Sequence, residues 1–418
     1  MVYLSAKSFV MRIETIRQEF PQLAGQVYGK PLVYLDNAAT SLRPRSVVAK
    51  WEEMSTRYNA NLHRAVHRMA QIATDEYESS RDALRDFIGA ARREEIVFTS
   101  GATASLNLVA FCLGESMIRE GDEILVAESE HHSDIIPWQQ MCARKGAKLR
   151  VYPVEEDGSY DLERLESLLT DRTKILCIAQ ISNVLGIINP VREMAAVCHR
   201  HGCLILVDGA QGIVHLPVNV QDLDCDFYLF SGHKMYAAPG TGVLYGRLEL
   251  LEQFPPYMGG GEMIATVRWE GSTFAAPPQR FEAGTQNISG VPTWKPAIET
   301  LRLLRDPQIE DEQARIRDFM LDALGSDPRI RLFGTAEPRA ARIPLFSFAV
   351  EGAHHEDLAL ILDKFGVAVR SGQMCAEPLM DRFGVTGMLR VSFAPYNTLQ
   401  EAEYAMEALR KAIKMLTE

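Results

Sequence analysis

Lys234 is the side chain in this sequence that is best placed to do covalent chemistry. It lies in residues 230–236, Phe-Ser-Gly-His-Lys-Met-Tyr, just after a short strand-like segment. A lysine among small polar residues and a histidine can hold an aldehyde cofactor as a Schiff base while its neighbours bind the phosphate of the cofactor. Because most loop lysines are only solvated charges, this assignment depends on the surrounding pattern.

An aspartate at the end of the preceding apolar run supplies part of that pattern. Residues 204–207, Leu-Ile-Leu-Val, are typical of a buried parallel strand, and Asp208 follows them. Ligands in open α/β sheets lie beyond the carboxyl ends of the strands. A carboxylate there can keep a pyridinium nitrogen protonated, and Gln211 can hydrogen-bond a ring substituent. The alternative for Asp208 is a helix N-cap or a turn aspartate.

A second transition from strand to helix predicts an anion site. Residues 95–99 are strand-like, residues 100–103 are Ser-Gly-Ala-Thr, and apolar residues at helical spacing follow as far as Gly121. Free backbone N–H groups at the start of a helix favour phosphate. Ala102 and Thr103 are therefore the candidate phosphate contacts, although an ordinary helix N-cap would leave the same pattern.

Cys375 is the candidate nucleophile. Six of the seven cysteines fall in helix-like or strand-like context, whereas Cys375 lies in a loop of small and polar residues, 371–378. A loop thiol is accessible enough to act as a nucleophile, unlike a cysteine in the core. No CxxC pair occurs, so neither a disulfide framework nor a thiolate metal site is favoured.

Two other patterns resemble known motifs but do not meet their requirements. His63 and His67 are four residues apart, as helical metal ligands would be, but no acidic third ligand stands at the expected spacing. The glycines of residues 240–246 have the wrong spacing for a dinucleotide fingerprint, and no helix pattern follows them. We therefore predict no metal site and no dinucleotide site.

Length and charge limit the class of protein. A chain of 418 residues can bury an ample core and should divide into about two domains. The net charge of -11 leaves no basic excess for binding nucleic-acid phosphates. No apolar run approaches the roughly 18 residues that span a bilayer, and charged residues interrupt the N-terminal region where a signal-peptide core would lie. We expect a cytoplasmic protein with neither nucleic acid nor membrane as partner.

Alternating strands and helices must position the candidate residues. Hydrophobic periodicity predicts strands at 33–36, 95–99, 123–127, 148–154, 174–180, 204–208, 346–350 and 367–370. It predicts helices over about 74–89 and 161–170, a helical stretch from 297 to about 324, and a final helix that starts at a capping box in residues 398–401. The Pro- and Gly-rich stretch 255–292 is long for a structureless loop and indicates an interface or an active-site lid.

The combined pattern resembles one family. Residues 207–211, Val-Asp-Gly-Ala-Gln, and 231–234, Ser-Gly-His-Lys, are similar to the pyridoxal 5'-phosphate (PLP) site of class V aminotransferase-fold enzymes, specifically the group II cysteine desulfurases of the SufS and CsdA type. The similarity runs from residues 35–40 to residues 390–398.

That resemblance implies an α/β fold, the PLP-dependent transferase fold type I. Its large domain would hold a mostly parallel sheet of the seven-stranded type sandwiched by helices, beside a smaller α+β domain. Residues 34–296 would form the large, PLP-binding domain. Residues 1–33 and 297–418 would form the small domain, which carries the nucleophile loop.

The resemblance also implies which residues bind the cofactor. His131 would stack on the ring, and Asn183 would lie near the ring hydroxyl and the substrate carboxylate. Thr285 would reach the phosphate of the other subunit of a homodimer. Ala102 can offer only its backbone N–H at a position where the family usually has threonine. The full implied set is Ala102, Thr103, His131, Asn183, Asp208, Gln211, Ser231, His233, Lys234 and Thr285.

The implied activity is the conversion of L-cysteine to L-alanine with a persulfide on Cys375, whose sulfur passes to a SufE-type or SufU-type acceptor for iron-sulfur cluster assembly. The implied catalytic residues are Lys234, Cys375 and His131. Arg390 would pair with the substrate carboxylate through its guanidinium fork. The other residues implied to bind substrate are Asn183, Arg370 near the nucleophile loop and His63 at the mouth of the site.

The nucleophile loop departs from the family pattern. Gln373 and Met374 precede Cys375, where the family often has histidine at one or both positions. A base or a cation that would stabilise the thiolate is thus missing from the loop. Slow turnover, or reliance on an acceptor protein, would follow.

Three alternative functions remain open from the residues. They are a selenocysteine lyase, another class V activity such as a transaminase, and a PLP-fold protein that acts mainly as a scaffold in an iron-sulfur assembly complex. Retention of Cys375 favours desulfuration over the first two. The intact set Asp208, Gln211, Lys234 and Arg390 argues against a scaffold.

Overall fold

A seven-stranded sheet organises the larger part of the chain in the computed structural model, which describes residues 13–417. Its strands are β1 (Ile96–Thr99), β2 (Glu123–Ala127), β3 (Lys148–Tyr152), β4 (Thr173–Ala179), β5 (Leu204–Asp208), β6 (Phe227–Ser231) and β7 (Gly242–Gly246). They lie in the order β1-β7-β6-β5-β4-β2-β3, and within this sheet β7 alone runs antiparallel to its neighbours. The predicted mostly parallel sheet of seven strands is confirmed.

Helices cover both faces of this sheet because its strands are apolar on both sides. On β4, Leu176 and Ile178 face one hydrophobic core, whereas Ile175 and Cys177 face another. Such two-sided burial is expected of parallel strands. Residues 13–17 are helical, and the further α-helices of the described chain are Arg45–Arg57, Arg68–Ile88, Ala102–Ser116, His132–Lys145, Leu162–Leu168, Val191–Arg200, Gly212–His215, Val220–Leu223, Leu248–Gln253, Trp294–Leu304, Pro307–Gly325, His355–Lys364, Glu377–Phe383 and Leu399–Thr417. None of the helices within residues 13–417 is long and apolar enough to cross a membrane.

A smaller antiparallel sheet follows in the C-terminal part of the chain. Its strands are β8 (Ile330–Phe333), β9 (Leu345–Val350), β10 (Arg370–Gly372) and β11 (Met388–Ser392), in the order β8-β9-β11-β10. Phe346 and Phe348 of this sheet share a third core with Ile316 and Leu409 of flanking helices. Residues 1–12 and 418, which were assigned to the small domain, lie outside the described residues.

Short strands connect the two ends of the chain. Val33–Tyr34 pairs in parallel with Val367–Ala368, and an isolated bridge joins Asp36 to Ser392. This pairing brings the segment that follows Tyr34 beside the smaller sheet. A further pair of two-residue strands, Gln26–Val27 and Lys30–Pro31, forms a turn before it.

The predicted helix ends agree with the structure only in part. The capping box is confirmed, because the Thr398 N–H donates to Glu401 Oε2 at 3.0 Å and the Glu401 N–H donates to Thr398 Oγ1 at 3.3 Å. The helical stretch predicted from 297 to about 324 is confirmed, and it consists of two helices, Trp294–Leu304 and Pro307–Gly325. Asp306 caps a second helix by accepting from the Gln308 N–H at 3.0 Å, and Pro307 has no N–H with which to continue the first.

The stretch 255–292 contains an exposed two-stranded ribbon, Ile264–Arg268 paired with Gly271–Phe274. Its turn carries Trp269, which is fully exposed within one chain. The segment after the ribbon is fixed firmly. The Glu282 carboxylate accepts from Arg81 at 2.7 and 2.9 Å and from the Phe98 N–H at 2.7 Å. Residues 283–285 are therefore anchored to the large sheet although they lie near its surface.

Candidate active site

The carboxyl ends of six strands meet at one edge of the large sheet. Ala179 at the end of β4 pairs in register with Asp208 at the end of β5, which pairs with Leu229 on β6. The loops that leave these strands must therefore lie side by side, as in other open α/β sheets. The predicted cofactor residues Thr103, His131, Asn183, Asp208 and Lys234 lie at or just after these strand ends, whereas Arg370, Cys375 and Arg390 come from the small sheet and its loop.

A cavity of about 310 Å³ occupies this edge, between the large and the small sheet. Its lining includes all the predicted site residues except His63 and Thr285. The residues that line it are Ala38, Ala39, Ala102, Thr103, His131, Ser133, Asp134, Ala179, Ile181, Asn183, Asp208, Ala210, Gln211, Ser231, His233, Lys234, Arg370, Met374, Cys375 and Arg390.

The amine of Lys234 is available for reaction in this cavity. Burial lowers the pKa of Lys234, and the charge of Asp208 opposes that shift. Among residues 13–417, no group accepts a hydrogen bond from Lys234 Nζ. An amine that is desolvated and unpartnered is suited to bond with a carbonyl group, because the neutral form is the nucleophile.

Three carboxyl groups lie together at the end of β5. The Ala210 N–H donates to Asp208 Oδ1 at 2.6 Å, and the fully buried Asp134, which accepts from the Cys177 thiol at 3.6 Å, is close enough to Asp208 to interact with it electrostatically. Burial raises the pKa of Asp134 well above its usual range, and burial raises the pKa of Glu130 to about 8. We conclude that Asp134 is protonated. Asp208, which Lys234 helps to keep ionised, is then the carboxylate that faces the cavity.

Close packing fixes the turn that presents Asp208. A Cβ atom on Gly209 would lie 2.0 Å from the ring of Tyr228, so only glycine fits directly after the aspartate. The Gln211 amide then donates to the carbonyl of Ala38 at 2.9 Å. This bond ties the loop after β5 to the segment that crosses from the small sheet.

His131 presents a neutral imidazole to the cavity. Its Nδ1 accepts from the Ser133 N–H at 3.1 Å, so the ring proton lies on Nε2. Burial, with the nearby Lys234 ammonium, lowers the pKa of His131 to about 4. A neutral flat ring at this position can stack on an aromatic cofactor without adding charge.

The start of helix Ala102–Ser116 also lines the cavity, through Ala102 and Thr103. The Ala102 N–H, which we assigned to phosphate, instead donates to Ser231 Oγ at 2.8 Å. Thr103 Oγ1 shares a hydrogen bond with Ser133 Oγ at 2.8 Å. The close approach of β7 is part of this arrangement, because a Cβ on Gly242 would lie 2.4 Å from Gly101 Cα. Ser231 and Thr103 hydroxyls, with His233, are thus the side chains left to face an anion here.

Asp36 orients both arginines on the substrate side. Arg370 donates to the Asp36 carboxylate at 2.7 and 3.2 Å, and Arg390 Nη2 lies 3.5 Å from it. Arg390 Nη1 donates to the Asn183 carbonyl at 2.8 Å, whereas Arg390 Nε has no partner within the described chain. Burial lowers the pKa of Arg390 to about 10. A buried cation with an unused donor can bind a substrate carboxylate.

The thiol of Cys375 is exposed, whereas the other six cysteines are buried. Both guanidinium groups, Arg370 and Arg390, are close enough to Cys375 to interact with it electrostatically. Two cations thus lie near the thiol although Gln373 and Met374 carry none, one on β10 and one on β11. The sequence analysis placed Arg370 near the nucleophile loop, but the approach of Arg390 to Cys375 depends on the pairing of β10 with β11.

The chain matches the family model described as Aminotransferase class-V over residues 33–404. A relative from Vibrio cholerae named probable cysteine desulfurase is 42% identical over 407 residues, which cover 97% of this chain and 100% of the relative. The chain belongs to the cysteine desulfurases of aminotransferase class V. A probable cysteine desulfurase of Halalkalibacterium halodurans is 43% identical over 401 residues, covering 96% of this chain and 98% of the relative.

Two solved structures of cysteine desulfurases share the fold. The CsdA enzyme of Escherichia coli superposes with a TM-score of 0.87 at 37% identity, covering 97% of this chain and 99% of that chain. The apo enzyme of Thermococcus onnurineus NA1 superposes with a TM-score of 0.89 at 37% identity, covering 96% of this chain and 98% of that chain.

Cysteine desulfurases of this class use PLP, and the cavity fits that group. The unpartnered amine of Lys234 suits its aldehyde, Asp208 suits its ring nitrogen, and His131 suits its ring face. The start of helix Ala102–Ser116 suits its phosphate. Within residues 13–417 no group of three histidine, cysteine or acidic side chains could hold a metal ion.

Two predicted residues of this desulfurase lie outside the cavity. His63 adopts a left-handed φ of 63°, and its Nε2 lies 3.7 Å from Glu78 in a separate cavity, so one chain does not bring it to the substrate. The predicted substrate contact of His63 is thus not formed within one chain. Thr285 is exposed and likewise does not reach the cavity of its own chain.

Sequence reasoning missed four residues that shape the site. Asp134, Glu130 and His132 lie close to His131 in the sequence but no local pattern marks them, and Asp36 appears in the sequence only as the last residue of the predicted strand 33–36. All four act through contacts with distant parts of the chain.

Proposed function

We propose that this protein converts L-cysteine to L-alanine and receives the sulfur as a persulfide on Cys375. The observation that carries the proposal is the presence, in one cavity, of the desolvated Lys234 amine, the exposed Cys375 thiol and the buried Arg390 guanidinium. When bound, PLP supplies an electron sink for the substrate carbon next to the amine.

Side chains of the protein would carry out substrate binding, proton transfer and sulfur transfer. Arg390 binds the carboxylate of L-cysteine, and Lys234 moves protons at the substrate Cα. The Cys375 thiolate forms a bond to the substrate sulfur as the bond between that sulfur and Cβ breaks. The electron pair of the broken bond remains with the substrate carbon, which takes up a proton and leaves as alanine.

Incubating the pure holoprotein with L-cysteine tests this function. We expect one alanine and one protein-bound persulfide per active site in the first turnover, with further alanine when a thiol reductant removes the persulfide. Alanine is measured by chromatography and the persulfide by mass spectrometry of the peptide that contains Cys375. Hydrogen sulfide with pyruvate, or a transaminated product, in place of this pair would contradict the proposal.

We propose that the sulfur then passes to an acceptor protein of the SufE or SufU type for iron-sulfur cluster assembly. The exposure of Cys375 supports direct transfer, because a partner thiol can reach the persulfide without opening the core. All seven cysteines are free thiols, which is usual for a protein of a reducing cytoplasm.

We propose a homodimer in which Thr285 completes the phosphate site of the partner subunit. The support is that Thr285 is exposed, lies outside its own cavity and follows Glu282, which is anchored by Arg81. The exposed ribbon with Trp269 offers apolar surface for such an interface.

Heterodimers test whether Thr285 acts across the interface. Pairing a Lys234→Ala chain with a Thr285→Arg chain leaves one intact site, so we expect about half of the wild-type activity per purified heterodimer. The matched control puts both substitutions on one chain and pairs it with a wild-type chain, which should be inactive. The reverse result, an inactive first heterodimer and a half-active control, would place Thr285 in the site of its own chain.

A further inference from the structure

Three hydrogen bonds fasten the loop that carries Cys375 to the edge of the large sheet. The His132 N–H donates to the Cys375 carbonyl at 2.7 Å, and the Asn183 amide donates to the Met374 carbonyl at 3.0 Å. The Glu377 N–H donates to Nε2 of the His132 ring at 3.0 Å. His132 thus contacts the nucleophile loop twice, at Cys375 itself and at Glu377 two residues further on.

The loop needs such fastening because its backbone is strained at the nucleophile. Met374 and Cys375 have φ values of 53° and 55°, in the left-handed region that favours glycine. Two consecutive non-glycine residues persist there only where the surroundings hold them. The neighbouring side chains Gln373 and Glu377 are exposed and bond to each other, so they do not supply that support.

We propose that His132 is a positioning residue for Cys375, and that its ring holds the thiol at the cavity by accepting the Glu377 N–H. This inference deepens the proposed function and rests on Cys375 being its nucleophile. The acceptor role requires a lone pair on Nε2, so the proton of the neutral ring lies on Nδ1.

The same bond excludes a different role for His132. While Nε2 accepts from the Glu377 N–H, this nitrogen cannot take a proton from the Cys375 thiol. His132 is therefore not a substitute for the base that is absent at positions 373 and 374. The backbone bond from the His132 N–H to Cys375 survives any side-chain substitution except proline, so the contribution of the ring can be measured separately.

Alkylation of Cys375 in the holoprotein without substrate reports the loop position independently of turnover. We expect His132→Leu, which removes the acceptor, to alter the rate of Cys375 modification by iodoacetamide about 10-fold, the equivalent of one lost hydrogen bond. Hydrogen exchange at the Glu377 amide should accelerate to a similar extent. Both are read by mass spectrometry at one fixed pH.

The kinetic effect should fall on one parameter. In His132→Leu we expect kcat for alanine release to fall about 10-fold while KM for L-cysteine changes little, because the ring touches the nucleophile loop and not the substrate. His132→Gln carries an acceptor oxygen at similar reach and should recover most of the loss in kcat and in amide protection. His201→Leu, which replaces an exposed histidine that lies 3.4 Å from Glu166, is the control for loss of an imidazole elsewhere.

The outcomes are distinguishable. The cofactor absorbance and the thermal midpoint confirm that each variant is folded, and His132→Ala replaces His132→Leu if the latter does not fold. If His132→Leu showed the wild-type rates of Cys375 alkylation and of Glu377 amide exchange, the proposal would be overturned. Equal losses of kcat and of amide protection in His132→Gln and His132→Leu would overturn it as well. Altered alkylation together with absence of desulfuration in the wild type would sustain the positioning role and reject the proposed function.

Discussion

Replacing Cys375 with alanine is expected to reduce alanine release from L-cysteine by at least about 10³-fold, because no other thiol can accept the substrate sulfur. The remaining six cysteines are buried and lie outside the cavity. Cofactor binding should be unchanged, since Lys234, Asp208 and His131 are untouched. Alanine release and the absorbance of the bound cofactor are the two measurements.

Selenocysteine separates the desulfurase from the selenocysteine lyase. Its selenol is a better leaving group than a thiol, so the reaction depends less on a nucleophile that accepts the chalcogen. Cys375→Ala should therefore lose much less activity on selenocysteine than on cysteine. Cys142→Ala, which removes a buried thiol, serves as the control. Undiminished alanine from cysteine in the Cys375 variant would remove this residue from the mechanism, and equal losses on both substrates would show that it does not act as the sulfur acceptor.

Replacing Lys234 with alanine should abolish the covalent attachment of the cofactor and lower turnover by at least about 10³-fold. The reason is the placement of its amine. Burial lowers the pKa of Lys234, and no acceptor in the described chain competes for Nζ. In the wild type, borohydride reduction followed by peptide mapping should place the cofactor on the peptide that contains Lys234.

Two variants control the Lys234 experiment. Lys234→Arg keeps the positive charge but cannot supply a neutral amine, so it should also lack covalent cofactor. Lys174→Ala removes a lysine whose ammonium bonds to the Asp171 carbonyl, away from the cavity, and should behave as the wild type. A reduced cofactor on any peptide other than that of Lys234 would contradict the assignment.

The candidate site could be predicted largely because its residues lie directly after strands. Asp208 is the last residue of β5, and Lys234 comes three residues after the end of β6. An apolar run that stops at a polar residue is visible in the sequence, and the parallel sheet guarantees that such ends meet. Within the helical stretch after residue 296, periodicity alone does not register the local signal that divides it into two helices, Asp306 followed by Pro307.

Protonation and orientation could not be predicted in this way. Asp134, in the first turn of a helix that packs on β2 and β3, interacts with Asp208 only because the strand order places β4 between β2 and β5. Asp36 reaches Arg370 only because Val33–Tyr34 pairs with Val367–Ala368. In each of these two pairs the residues are far apart in the chain. The burial and the hydrogen bonding of each carboxyl group therefore depend on two distant segments packing together.

By itself the sequence determined the α/β architecture, the candidate lysine and cysteine and the family, since strand periodicity and short motifs are local properties of the chain. Only the tertiary structure decided which groups control those residues. In the folded chain the Arg370 and Arg390 guanidinium groups lie near the Cys375 thiol, and the Ala102 N–H donates to Ser231. The His132 ring accepts a hydrogen bond from the nucleophile loop. These outcomes depend on hydrogen bonds and burial between segments that are up to several hundred residues apart, and no local pattern encodes them.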